Sequence, residues 1–134
     1  WLQDPIKRNL WGNGDTHWYA GDRPKGRTGK GMSNHCAHGK GVSTQVALDW
    51  RPFEYSTVES FDNGKKNLTQ TLRFEPLPNG GTRVHDLMQM NMPLPHFLRS
   101  ILTHIMMIYV YKYDQSLQKA AQLAEEEYAK AQAE

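Results

Sequence analysis

Between Thr16 and Leu94, apolar and polar residues alternate with a period near two, in short runs broken by glycine, asparagine and proline. After Pro95 the period lengthens to that of a helix. Six strands are predicted: "THWYAG", "GMSNHCAH", "VSTQVALDW", "EYSTVESFD", "NLTQTLRFEP" and "TRVHDLMQMNM". The connections "GKG", "NGKK" and "LPNGG" are short and glycine-bearing, so they join antiparallel neighbours in a meander of hairpins. Ahead of the strands, "DPIKRNLW" offers Asp4 as an N-cap and Pro5 as a first helical residue, which predicts a short helix ending near Trp11, before "GNGD".

Side chains on a strand alternate between faces, so each run divides into two sets. In the fifth strand Leu68, Leu72 and Phe74 share a face with Gln70; in the sixth, Val84, Met88, Met90 and Met92 share one with Asp86. The third strand groups Val42, Thr44, Val46, Leu48 and Trp50. The fourth has no clean face, and its register stays open. Three inward methionines in a row form a flexible, polarizable lining of the kind that holds ligands of varied shape, although taken alone they suit ordinary core packing better. The polar residues Gln70 and Asp86 on the same side favour a pocket, because an unpartnered buried carboxylate is costly.

The terminal helix is predicted to begin at Pro95 or His96 and to lay Leu98, Ile101, Leu102, Ile105 and Tyr109 on the sheet as one stripe. "IMMIYVY", Ile105 to Tyr111, is apolar all round and calls for a second cover, from a preceding segment of chain or another protein. Beyond Asp114 an alanine-rich, charged stretch is expected to continue as an exposed, fraying helix.

At 134 residues and 38 % hydrophobic content, the chain suits one domain. Sixteen basic and fourteen acidic residues leave +2, too weak a field to suggest nucleic acid. One cysteine forms no internal disulfide, and no run reaches the roughly 18 apolar residues of a membrane span, which points to a cytoplasmic setting. The chain opens on Trp1 with no initiator methionine and no secretory pattern, so a preceding segment is expected.

Two stretches resemble reactive motifs. In "NHCAHGKG", residues 34 to 41, the strand reading places Cys36 and His38 on one face and His35 on the other. Two converging ligands fall short of the three or four that zinc needs, so no metal is expected, and a Cys36 and His38 nucleophilic pair lacks an orienting third group. "GDRPKGRT", residues 21 to 28, nearly spells a phosphate loop, but it has Arg27 in place of lysine and runs into a strand rather than a helix. A solvated basic turn, able to attract anions through Arg23, Lys25, Arg27 and Lys30, is the simpler reading.

"LRFEPLPNGGTRVHDLMQM", "DWRPFEYSTVES" and the long terminal helix, in that order, resemble the START and polyketide-cyclase superfamily over most of residues 1 to 125. "HCAHG" followed by "DWRPFEY" also resembles a bacterial subgroup found beside nucleotide-cyclase-like domains. The family's first strand and following helix, which would precede "LQDPIKRNLW", are not in this sequence; either they belong to a longer chain or, if that strand is genuinely lacking, the sheet has an edge able to pair with another copy. The resemblance implies an α+β helix-grip fold over residues 1 to 125, with a curved antiparallel sheet of about six strands wrapped around a long C-terminal helix, then a charged helical tail at 126 to 134. It further implies a cavity for a small hydrophobic molecule, lipid or polyketide-like, with no cofactor. Leu48, Trp50, Leu72, Phe74, Met88 and Met90 from the sheet, with Ile101 and Ile105 from the helix, would line it. Gln70 and Asp86 would orient the polar end, and Cys36 and His38 would contribute. The alternatives are a cyclase or aromatase moving protons through Asp86, His38 or His85, and a sensory or interaction module of a larger protein. A homodimer or a neighbouring domain is the expected macromolecular partner.

Overall fold

Asp4 starts the first helix in the way its sequence dictates. Its carboxylate accepts the Ile6 backbone N–H at 2.8 Å and that of Lys7 at 3.4 Å, while Pro5 enters the first turn, where no intrahelical donor is needed. The result is α1, Pro5–Trp11. The structure, a computed structural model, describes residues 1–12 and 14–133. Asn13 in "GNGD" and the last residue of the charged tail lie outside the described residues.

Six strands follow: β1 Thr16–Ala20, β2 Ser33–His38, β3 Gly41–Arg51, β4 Tyr55–Asp62, β5 Lys65–Pro76 and β6 Thr82–Met90. They pair antiparallel in sequence order, as one curved, unclosed sheet. Asn63 (φ 50°) and Gly64 (φ 73°) both take the left-handed conformation, so the β4–β5 turn has the twist that a two-residue hairpin requires.

The parity of β3 differs from the simple alternation predicted for it. Ala47 pairs with Val58 but Asp49 pairs with Thr57, so Leu48 is an extra residue, a bulge that reverses which face the strand presents. Val42, Thr44 and Val46 therefore lie on the outer face, Leu48 is 39 % exposed, and Trp50 alone of that set turns inward, against the core of Met32, Ala47 and Val58. Upstream of the bulge the inner residues of β3 are Ser43, Gln45 and Ala47. The open question of β4 resolves in the same terms: its inner residues are Ser56, Val58 and Ser60, all buried. Two of those three are hydroxylated, which is why neither face of β4 looks apolar.

The C-terminal segment is not one helix. α2, His96–Ile105, passes through a wide π-helical turn at Met106–Val110, and Lys112 (φ 48°) breaks the chain before α3, Tyr113–Ala133. α2 lies along β6, where the Met90 N–H donates to Thr103 Oγ1 at 3.1 Å. The predicted apolar stripe does not lie on the sheet. Leu98, Ile101, Leu102, Ile105 and Tyr109 are exposed, while Thr103 is the buried residue of that helix. Periodicity identifies residues that share a stripe but not the direction in which it points. α3 takes the place over the sheet. Its first turns bury Ser116 and Ala120, so this part of the segment beyond Asp114 is packed rather than frayed. Its distal half remains helical and exposed, as expected.

Candidate functional site

The inner face of the sheet is covered by α1 and the start of α3, and the residues meeting there are unusually polar. Arg8, on α1, is 7 % exposed. Its guanidinium lies 3.9 Å from the Trp18 ring centre and 5.5 Å from that of Trp11, and Nη1 donates to Gln45 Oε1 at 2.6 Å. Gln45 Nε2 donates onward to Ser60 Oγ at 3.0 Å. Among the described residues, no carboxylate lies within 4 Å of the Arg8 nitrogens. Burying an ion costs several kcal/mol, which the two aromatic faces, each returning about 2 kcal/mol or more when desolvated, and the Gln45 acceptor offset without a countercharge. Burial accordingly lowers the Arg8 pKa, opposed by the nearby acidic groups of Tyr113, Cys36 and Asp86.

Beside it, Gln70 Nε2 donates to Asp86 at 2.8 and 3.0 Å and meets the Tyr113 hydroxyl at 3.0 Å. Gln70 pairs across the sheet with Met88, and Leu72 with Asp86, so the amide reaches its carboxylate diagonally. Burial raises the Asp86 pKa, against the hydrogen bonds from Gln70 and Tyr113 and the Arg8 charge. Burial, then the charge of Asp86, pushes the Tyr113 phenol far up, so it stays a neutral donor. Leu2, Gln3, Trp11, Leu72 and Leu117 close the hollow around Arg8, Gln70 and Tyr113, and it has no room for a water-sized molecule. Two buried polar atoms of these lining residues have no hydrogen-bond partner, the Trp11 Nε1–H donor and the Gln3 Oε1 acceptor.

Of the residues singled out from sequence, Trp50, Gln70, Leu72, Phe74, Asp86, Met88 and Met90 share the inner face across β3 to β6. Gln70 and Leu72 are each 2 % exposed and line the closed hollow. Cys36 is on the same face at the β2 side, buried, with its thiol pKa raised chiefly by burial. Leu48 sits on the bulge, and Ile101 and Ile105 face away from the sheet, so these three are not brought to the hollow.

His38 is exposed, with Nε2 2.8 Å from Ser43 Oγ; Ser43 in turn donates to Asp62, which also accepts from Asn67. The order is histidine, serine, carboxylate. A nucleophilic triad requires the imidazole in the middle, so this chain of bonds ties β2, β3 and β4 together without activating the serine. His85 is on the outer face, 2.8 Å from Glu75, and hence across the sheet from Asp86. Of the three candidate proton carriers, Asp86 is on the inner face, His38 is exposed at the end of β2 and His85 is on the outer face. Among the described residues, no three metal-ligating side chains come together.

In the basic turn, Arg23 folds back onto β2, with Nη2 donating to Asn34 Oδ1 at 2.6 Å and Nη1 donating to the Ser33 carbonyl. Residues Pro24–Gly26 form a single 3₁₀ turn and no helix follows, so the phosphate-loop geometry is absent from that stretch. An open groove of about 480 Å³ lies at the β5–β6 hairpin between Arg73, Phe74, Glu75, Pro76, His85 and Leu87. No buried unpartnered group belongs to it.

Sequence reasoning missed Arg8, Trp11, Gln45, Ser60 and Tyr113. A signal existed for the first two. Pro5, Arg8 and Trp11 recur every third residue, so Arg8 falls in the middle of the stripe that α1 buries. Tyr113 had no such mark, because its position depends on the chain break at Lys112. Comparison with protein-family models, curated proteins and solved structures finds no match to this chain.

Proposed function

We propose that this chain is a binding domain for a small hydrophobic molecule, of the START and polyketide-cyclase kind, taken up between the inner sheet face and the helices that cover it. The observation that carries the reading is the polar cluster of buried Arg8 and Gln70 with half-buried Asp86 and Tyr113 under an apolar cap, with a donor on Trp11 and an acceptor on Gln3 left unpartnered. An apolar enclosure with a few convergent polar groups is the usual composition of a ligand site. Apolar burial, at about 25 cal/mol per Å², supplies affinity, and the polar groups set orientation. The helix-grip-like shape, a curved sheet with a helix across it, supports the same reading.

Uptake requires the cap to move, because the hollow admits no water-sized molecule. α3 is the element suited to moving. It follows the break in the helical backbone at Lys112, and its distal half is held to α1 by Glu127, which accepts from Lys7 Nζ at 2.5 Å and from Trp1 Nε1 at 3.1 Å in exposed contacts of the kind that contribute little. The test is a native mass-spectrometry and thermal-shift screen against fatty acids, alcohols and aromatic polyketides, on the wild type and on Leu117→Trp, which fills the hollow from α3. Binding by the wild type that the folded variant loses supports the reading; binding unchanged by the variant places the ligand elsewhere.

The outward apolar face of α2 favours a second reading, an interaction module within a larger assembly. A free monomer at high micromolar concentration, measured by light scattering, counts against self-association through that face.

A further inference from the structure

We propose that the ligand carries a single carboxylate and that Arg8 reads it, in a clamp formed by Trp18, Trp11 and Gln45. This rests on the hydrophobic-ligand reading above and names the polar end of that ligand.

Four observations converge on it. First, Arg8 is buried and, among the described residues, has no carboxylate within ion-pair distance; its Nη1 donates to the neutral Gln45 amide at 2.6 Å. Second, the guanidinium carbon lies over the Trp18 ring, 3.9 Å from its centre, and 5.5 Å from that of Trp11. Contact with an aromatic face occupies the flat side of a guanidinium and leaves the N–H groups at its edge for bidentate bonds to a planar acceptor. Third, the Trp11 indole N–H, on a residue 3 % exposed in the same hollow, has no acceptor. A carboxylate bound to Arg8 has lone pairs to spare for that donor. Fourth, Gln3, 7 % exposed, lines the hollow and has an unpartnered side-chain amide oxygen, and a half-turn of that amide puts its NH₂ in the oxygen's place.

The charge count sets the ligand class. One cation balances one negative charge, and Asp86 close by discourages a second, so a monoanionic carboxylate fits better than a phosphate monoester. The apolar remainder of the molecule would run towards Leu72 and Leu117, which border the same space.

The experiment titrates the full chain with dodecanoate, dodecanol, dodecylamine and dodecyl phosphate, each below its micelle concentration. The readout is the intrinsic fluorescence of the four tryptophans, Trp11 and Trp18 among them, with calorimetry as a check. The wild type is expected to bind dodecanoate at least about tenfold tighter than dodecanol, and Arg8→Met to bring that ratio to about one, with Arg8→Lys in between. Equal affinity for acid and alcohol in the wild type overturns the carboxylate assignment and leaves the hydrophobic-ligand reading standing. Preference for dodecyl phosphate or dodecylamine also overturns it. Failure of all four, together with failure of the wider ligand screen, removes the hydrophobic-ligand reading itself. If Arg8→Met does not fold, the wild-type ranking of the four probes still decides.

Discussion

The Gln70 side-chain amide donates to both carboxylate oxygens of Asp86, at 3.0 and 2.8 Å, from the neighbouring strand. Gln70 is buried on the inner face of β5, and its amide also meets the Tyr113 hydroxyl at the start of α3. One amide therefore links two strands and the covering helix.

That linkage makes Gln70 costly to truncate. Gln70→Leu leaves Asp86 with one fewer donor in a desolvated place, and a loss of about 1–3 kcal/mol in urea unfolding is expected. The double variant Gln70→Leu with Asp86→Leu removes both partners, and a smaller loss than the single change is expected. A double-mutant cycle measures the difference, and strictly additive losses would contradict the coupling.

Asp86 gives the fold a pH dependence of defined sign. Its folded pKa lies above the unfolded value, so the native state holds a proton that the unfolded chain has released. Its contribution to stability is fully present below the unfolded carboxyl value of about 4 and is lost as pH rises through the folded value. Asp86→Asn does not titrate. The stability difference between wild type and Asp86→Asn should shift in favour of the variant as pH climbs through that window. A difference that stays flat with pH would contradict the shift.

Cys36 should behave as a structural thiol. It is 4 % exposed, and burial raises its pKa, so little thiolate forms near neutrality. Alkylation by iodoacetamide at pH 8 is expected to be slow for the folded protein and fast in concentrated urea. Rapid labelling without denaturant would indicate a reactive site at β2.

Ala120 tests the placement of α3. It is fully buried, whereas its neighbour Ala121 is exposed. Ala120→Leu is expected to cost about 1–3 kcal/mol through overpacking, and Ala121→Leu within about 0.5 kcal/mol of nothing. Equal effects at the two positions would mean that this face of α3 is not packed.

The strands, hairpins and first helix were legible in the sequence because their determinants are local. Asp4 and Pro5 cap α1 through bonds to residues two and three positions away, and the Asn63-Gly64 turn needs only its own two left-handed residues. Alternation alone assigned Gln70, Leu72, Asp86, Met88 and Met90 to one face, because those stretches of β5 and β6 keep an unbroken register with each other. In β3 the same rule failed at one residue, since a bulge at Leu48 is set by pairing with β4 and leaves no mark in β3 itself.

By itself, then, the sequence determined six strands in a meander, a capped helix before them and a helical segment after them, since period and turn chemistry act within a few residues. Tertiary structure decided which side of each element meets the others. It turned the Ile101 and Ile105 stripe outward, moved α3 over the sheet through the break at Lys112, and brought Arg8, Gln70, Asp86 and Tyr113 together from four elements. These are long-range contacts between residues up to about a hundred positions apart, set by which surfaces exclude water once the whole chain has folded, and no local pattern encodes that choice.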